Sequence, residues 1–158
     1  MLTNYIQCKS KFYASFNSID CKSDNSNENV IISLMKSYCL PAMYYGLEAV
    51  DLNQSDINSL DTPIKRGLGK IFKTYDSDVL QWTMFYFKLL PTKYELAVRK
   101  FKFLTKLTSI NNVCVNILQN NSICDDLNTL KLKFKIEPKD SFISARERLM
   151  NIFETSLN

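Results

Sequence analysis

Apolar residues recur every three or four positions along most of the chain, which is the spacing of one buried face of an α-helix. The clearest example is the segment Thr92–Ser109. Its apolar stripe comprises Tyr94, Ala97, Val98, Phe101, Leu104 and Thr108. The same period predicts further helices over about 5–19, 28–40, 55–75, 78–89, 126–134 and 138–157. We therefore expect an all-α, single-domain helical bundle of about six to seven helices.

Two prolines and one polar residue bear on where these helices begin and end. Pro41 is expected to stop or kink the second helix, because proline lacks a backbone N–H. At Pro63 either a new helix begins, with Thr62 as its N-cap, or one helix continues with a kink. The apolar phase is continuous through Pro63, which favours the kink. Ser55 is the expected N-cap of that helix.

Composition supports the helical interpretation. Three glycines and four prolines among 158 residues are too few for the turns of a many-stranded sheet. The net charge of +4 is mild, but it is unevenly distributed. Residues 63–110 hold ten basic and three acidic residues, whereas residues 1–62 hold four and seven. A basic band of this kind predicts either an anion-binding face, nucleic acid being the commonest partner, or simply a solvated helix face.

The basic residues of the band form two stripes at helical spacing, each opposite an apolar face. The first, stripe A, comprises Arg66, Lys70 and Lys73, and the second, stripe B, comprises Arg99, Lys102 and Lys106. Three cations on one exposed helix face have the spacing to follow a phosphate backbone. The aromatic residues of the same region are expected in the core rather than as stacking platforms for bases. They are Trp82, Phe85, Tyr86, Tyr94 and Phe101.

No complete catalytic or metal site is predicted. The chain has no histidine, and its five cysteines are too scattered for a zinc site. Asp125 and Asp126 resemble the paired aspartates of a polymerase, but their helical surroundings favour a helix cap. The segment from Gly67 to Lys70 echoes a phosphate loop without its spacing. We therefore expect no catalytic residue, no metal and no cofactor.

Scattered cysteines in odd number fit reduced thiols. No signal peptide follows Met1, and the most apolar stretch, residues 79–90, is too short to span a bilayer. These features predict an intracellular protein, cytoplasmic or nuclear, without a membrane partner.

Several segments, in this order, resemble the region after the catalytic palm in non-LTR (LINE-type) retrotransposon reverse transcriptases. The most specific is Leu34–Ala49, where a helix ends near a proline and runs into a Tyr-Gly-x-Glu motif, Tyr45 to Glu48 here. The others are Lys11–Ile19, Arg66–Lys73, Leu89–Pro91 and Arg99–Phe101. The resemblance covers roughly residues 10–107 and rests on several ordered motifs rather than one.

The resemblance implies a helical thumb over residues 1–110, with a helical extension over 111–158. In that family the thumb packs against the palm and grips the RNA/DNA template–primer duplex through its backbone. Stripes A and B would make those contacts, with the palm as a further partner. The fingers, the palm aspartates and the downstream zinc knuckle have no counterpart in this sequence. The chain is therefore expected to be a polymerase fragment that is not itself an enzyme. The alternative is a helical protein–protein interaction module with no nucleic-acid role, docking through an apolar patch at residues 82–87.

Overall fold

The computed structural model describes residues 3–23, 27–109, 122–134 and 141–157. Within these ranges the chain forms seven helical segments joined by turns, and no strand. The all-α prediction and the expected number of helices are confirmed for this part of the chain. Packing divides the chain into two compact units, residues 1–92 and 93–158. The division predicted after residue 110, into a thumb-like part and an extension, stays a prediction about function.

The first unit contains α1 (Thr3–Asp20), α2 (Glu28–Leu34), a π-helical turn (Met35–Cys39) and α3 (Leu40–Tyr44), which run on as one segment from α2 to α3. A short 3₁₀ turn (Leu47–Ala49), α4 (Gln54–Phe72) and α5 (Ser77–Tyr86) follow. The second unit holds α6 (Thr92–Ser109, of which Thr92 belongs to the first unit), α7 (Ser122–Phe134) and α8 (Phe142–Thr155). None of the described helices is both long enough and apolar enough to cross a membrane.

Pro41 neither stops the helix at Leu40 nor leaves its hydrogen bonding unchanged. The π-helical turn precedes it, with the Leu40 N–H donating to the Met35 carbonyl five residues back. Because proline has no N–H to continue the ladder, the wider turn absorbs the irregularity and α3 continues to Tyr44. Gly46 then adopts the left-handed conformation, with φ of 79°, and turns the chain into the 3₁₀ segment.

The N-cap of helix α4 lies two residues before the expected one. Asn53, not Ser55, is the N-cap: its side chain accepts from the Asp56 N–H, and Asp56 accepts in return from the Asn53 N–H. This reciprocal capping box satisfies two helix-end donors at once, whereas Ser55 would satisfy one. Pro63 lies inside one continuous helix, so the alternative of a new helix starting there is wrong.

The core of the first unit is organised around α4. Leu60, Ile64 and Leu68 are almost completely buried on its inner face. Helix α1 packs against the same helix and brings the stacked rings of Phe12 and Phe16, 5.8 Å apart, over Gly67. A β-carbon at Gly67 would lie 3.3 Å from the Phe16 ring, so the missing side chain is what lets the two helices approach this closely.

A buried polar node holds Thr92, the last residue of the first unit, against α3 and α4. The Thr92 N–H donates to Oδ1 of Asp61 at 2.9 Å, which satisfies one of the helix-start donors. The Thr92 hydroxyl pairs with the Tyr44 hydroxyl at 3.2 Å, and both side chains are fully buried. The node therefore joins Thr92 to α3 and α4. Its pairing matters because a buried polar group without a hydrogen-bond partner would lower the free energy of unfolding.

In the second unit, Glu95 is the central polar residue. Its carboxylate accepts from Arg99 Nε at 3.0 Å and from Arg146 Nη1 at 2.5 Å, and so joins α8 to α6. Apolar packing surrounds this pair of contacts. The predicted stripe residues Ala97, Val98, Phe101 and Leu104 are buried as expected. Tyr94 is half-buried against Phe134 and Phe153, while the side chain of Thr108 and the expected helix start at Pro138 lie outside the described residues.

We expect Gly69→Ala to destabilise the protein more than Gly67→Ala. A β-carbon at Gly69 would lie 2.8 Å from the Thr74 carbonyl oxygen, a backbone atom that cannot move without opening the end of α4. At Gly67 it would meet the edges of the Phe16 and Phe12 rings at 3.3 and 3.5 Å, and side-chain rings can shift more easily than backbone. Overpacking at Gly69 should lower the free energy of unfolding by about 1–3 kcal/mol, partly offset by alanine's helix propensity of about 1 kcal/mol. Urea denaturation followed by circular dichroism measures both variants.

Gly67→Ala is the matched control, since it has the same propensity gain on the same helix. Equal or greater stability of Gly69→Ala would contradict the packing described for the end of α4.

Of the three described cysteines, Cys21 is exposed and should be alkylated first. Burial raises the pKa of the Cys39 thiol to about 11 and also raises that of Cys8, where Lys11 opposes part of the effect. At pH 8 only roughly one Cys39 thiol in a thousand is then a thiolate. Iodoacetamide labelling with peptide mapping should show Cys8 and Cys39 protected until the protein unfolds.

The raised pKa of Cys39 also makes the stability of the protein depend on pH. A raised folded-state pKa stabilises the protein fully below the unfolded thiol pKa of about 8.5, and this contribution is lost as pH rises towards 11. The slope should be smaller in Cys39→Ala, where the raised pKa of Cys8 still contributes, and labelling of Cys39 as fast as Cys21 in the native protein would refute the burial.

Candidate nucleic-acid interface

Arg66 and Lys70 of stripe A lie on the exposed face of α4 and Lys73 lies just past its end, and the three cations differ in what they contact. Arg66 is exposed and has no ion pair among the described residues. Lys70 is exposed as well, and its ammonium forms a 2.5 Å ion pair with Asp20 at the end of α1. That hydrogen bond, with the charge of Asp20, raises the pKa of Lys70. Lys70 is therefore fully charged at neutral pH, but its charge is balanced locally.

Lys73, the third member, lies just past the helix rather than in it. It adopts the left-handed conformation, with φ of 54°, and the Thr74 N–H bonds back to the Gly69 carbonyl at 3.1 Å. This is the C-cap turn that glycine usually provides. Lys73 is exposed and has no ion pair among the residues that the structure describes.

Helix α5 ends in the same way. Lys88 has φ of 52°, the Leu89 N–H bonds back to the Met84 carbonyl at 2.8 Å, and the Lys88 N–H donates to the Phe85 carbonyl at 2.9 Å. Both helices thus close with a phenylalanine followed by a left-handed lysine. The two phenylalanines, Phe72 and Phe87, contact each other with ring centroids 5.7 Å apart. The two lysines in the left-handed conformation therefore directly follow, in sequence, two phenylalanines whose rings contact each other.

Stripe B belongs to the second unit, and most of it has a structural partner. Arg99 is paired with the buried Glu95, so it contributes to the packing of α6. The Lys102 ammonium lies 4.7 Å from the centroid of the Phe142 ring, a cation–π contact with the first residue of α8. Lys106 is exposed, and its ammonium has no ion pair within the described ranges.

The structure thus places each predicted residue on an outer helix face or a helix end, and it divides the six by their contacts. Stripes A and B lie in different compact units. Arg66, Lys73 and Lys106 keep exposed charges without ion pairs in the described part of the chain. The counterions Asp20 and Glu95 were not identified from sequence. Glu95 precedes Arg99 by four residues, which is a recognisable ion-pair spacing, whereas no sequence signal links Asp20 to Lys70, fifty residues away.

The aromatic residues of α5 are not in the core, and this expectation was wrong for Trp82 and Tyr86. Trp82 is 46% exposed and Tyr86 78% exposed, while Phe85 is half-buried. Leu80 and Met84 are the residues that α5 buries, and their spacing of four places them on the face opposite Trp82. Phe101 is buried as expected.

The exposed aromatic residues line an apolar groove of about 540 Å³ along α5. Phe72 and Phe87, which contact each other, are among the residues that line it, and Asp78 is the charged residue among them. The Lys36 ammonium donates to the Phe87 carbonyl, so this helix-end acceptor is satisfied. The groove is lined by Phe72, Asp78, Val79, Trp82, Thr83, Tyr86 and Phe87.

The two motifs that resembled catalytic sequences have structural roles. Asp125 lies in the first turn of α7, where a carboxylate favours the helix dipole, and Asp126 pairs with Lys100 at 3.5 Å. Gly67 and Gly69 are buried inside α4 rather than in a loop. Among the described residues, no group of three metal-binding side chains is close enough to hold an ion.

We expect Lys73→Gly to be more stable than Lys73→Ala by about 1 kcal/mol, because glycine adopts φ of 54° without steric cost and alanine does not. Both substitutions remove the same charge from the negative end of the helix dipole, so their difference isolates the backbone. Urea denaturation of the two variants measures it. Equal stability would mean that Lys73 is not held in the left-handed conformation.

Searches with the chain against protein-family models, curated proteins and solved structures found no match.

Proposed function

We propose that the chain is a thumb-like helical module of the non-LTR reverse-transcriptase type, which holds a template–primer duplex through its sugar–phosphate backbone. In this proposal the module supplies no catalytic group, and chemistry belongs to a palm with which it works. One observation carries the proposal. Three predicted contact residues, Arg66, Lys73 and Lys106, are exposed cations without ion pairs in the described part of the chain.

The chemistry of these side chains supports contact with phosphate rather than with base edges. They project from outer helix faces and a helix end, where cations can follow a backbone without entering a groove. Binding through such contacts releases counterions and is steeply salt-dependent. It also carries little sequence preference, which is what a module that must slide along any template requires.

The remaining three cations would act less directly. Lys70 is balanced by Asp20, Arg99 is committed to Glu95, and Lys102 lies over Phe142. Each contributes to the local potential, but binding phosphate through Lys70 or Arg99 would require breaking an existing ion pair. The proposed duplex contacts therefore rest first on Arg66, Lys73 and Lys106.

We predict that the protein binds a labelled RNA–DNA duplex with an affinity that falls steeply between about 50 and 200 mM salt. Arg66→Ala should weaken binding and lower the slope of log K against log salt by about one. Asp20→Asn should have the opposite effect, because it removes the carboxylate that balances Lys70. Fluorescence anisotropy at several salt concentrations measures both.

Lys11→Ala is the matched control, since Lys11 is an exposed cation of the same unit that belongs to neither stripe. It should change binding little. Salt-independent binding, absence of binding by a folded sample, or an Arg66→Ala effect equal to that of Lys11→Ala would each refute the proposal.

A second candidate function is a helical protein–protein interaction module. The observation that favours it is the exposed aromatic groove along α5, because contiguous apolar surface commonly marks a binding site. In that case the occupant would be an apolar side chain cluster or helix of another protein, and the cations would serve solubility.

A further inference from the structure

The groove along α5 combines two features that together indicate its ligand. Trp82 and Tyr86 are one helical turn apart and expose their rings on the same side of the helix. Flat exposed aromatic surfaces of this kind stack nucleobases without regard to sequence. Such surfaces do not distinguish between bases, so the groove would accept any unpaired strand.

Charge is the second feature. Phe72 and Phe87 line the groove, and each is followed directly by an exposed lysine in the left-handed conformation. Lysine pays a steric cost at this backbone position that glycine would avoid. Each lysine is thus the chain neighbour of a phenylalanine that lines the groove, and a strained backbone position occupied by a charged side chain is a candidate for function.

The acidic residue of the groove does not cancel this arrangement. Asp78 lies in the first turn of α5, nine residues before Phe87. That spacing separates the two by about 13 Å along the helix axis. An anion at the Phe87–Lys88 end is therefore remote from Asp78.

We propose that this groove binds the unpaired strand of a nucleic acid, with bases stacked on Trp82 and Tyr86 and phosphates held by Lys73 and Lys88. The proposal rests on the proposed function, since it assigns to the same module the single-stranded template next to the duplex. It adds base stacking on Trp82 and Tyr86, which the two stripes do not provide. A duplex alone cannot use the groove, because its bases are already stacked on one another.

The sole tryptophan of the chain is Trp82, so intrinsic fluorescence reports on the groove directly. The protein is titrated with three ligands: a blunt RNA–DNA duplex, the same duplex with an overhang of about six unpaired nucleotides, and that overhang made of abasic units. Of the three ligands, we expect only the duplex with the natural overhang to quench Trp82 fluorescence. We expect that ligand to bind roughly tenfold more tightly than the blunt duplex.

Variants separate stacking from charge. Tyr86→Ala should lose the gain from the overhang while keeping the affinity for blunt duplex, and Tyr86→Phe should restore it. Lys88→Gly should lose part of the gain while keeping the affinity for blunt duplex, because Lys88 belongs to neither stripe and glycine fits its left-handed position. Tyr38→Ala is the control, since Tyr38 is an exposed tyrosine on the π-helical turn outside the groove.

The outcomes distinguish the two proposals. Duplex binding without quenching or gain from the overhang would overturn the groove assignment and leave the duplex proposal standing. Quenching by single strands without duplex binding would support the groove and overturn the duplex proposal. A blue shift of Trp82 emission that depends on protein concentration, without nucleic acid, would show that a second copy covers the groove and would overturn the assignment.

Discussion

The first unit depends on how closely α1 and the turn after α4 approach the backbone of the second half of α4. Gly67 admits the aromatic rings of α1 on one side, and Gly69 admits the carbonyl of Thr74 and the ring of Tyr75 on the other. Both approaches need the absence of a β-carbon, so two of the three glycines in the chain are used within one helical turn. The helix can then be packed along its inner face and closed sharply at Phe72. Where α4 ends decides where α5 begins, and thereby where the aromatic groove lies.

The third glycine, Gly46, turns the chain after α3, so no glycine remains for the ends of α4 and α5, and this has a consequence for the surface. At the ends of α4 and α5 the left-handed residue is lysine. A cation there compensates the negative end of the helix dipole by about 0.3–1 kcal/mol, which offsets part of the steric cost. The same placement holds each lysine by its backbone, next to an aromatic residue of the groove. A lysine on a regular helix face would be less constrained, so the cap geometry limits where these two charges can lie.

Sequence reasoning predicted the helices well where a long apolar period was uninterrupted. The bounds of α6 agree at both ends, because its stripe from Ala97 to Leu104 is regular over several turns. It was less successful where a local interaction competed with the period. The reciprocal capping at Asn53 makes α4 start earlier than predicted, and the cap at Lys73 ends it before Tyr75. Tyr75 is therefore 77% exposed, although the apolar spacing of the sequence placed it on the buried face of the helix. Contacts between residues far apart in sequence, such as Asp20 with Lys70, leave no periodic signal at all.

The basic band shows why composition overstates a binding surface. Its excess of positive charge is real, but Asp20 and Glu95 balance two of the six stripe residues, and Glu95 is itself buried. A buried carboxylate without a partner would be destabilising by several kcal/mol, so the fold accounts for the two arginines beside Glu95, Arg99 and Arg146, whatever the chain binds. Arg99 would therefore be present in a module with no anionic ligand. The same reasoning does not apply to Arg66, whose exposed charge has no acidic partner among the described residues and no packing requirement to satisfy. Function is better argued from exposed charges such as that of Arg66 than from paired ones such as that of Arg99, because the fold alone does not account for the exposed ones.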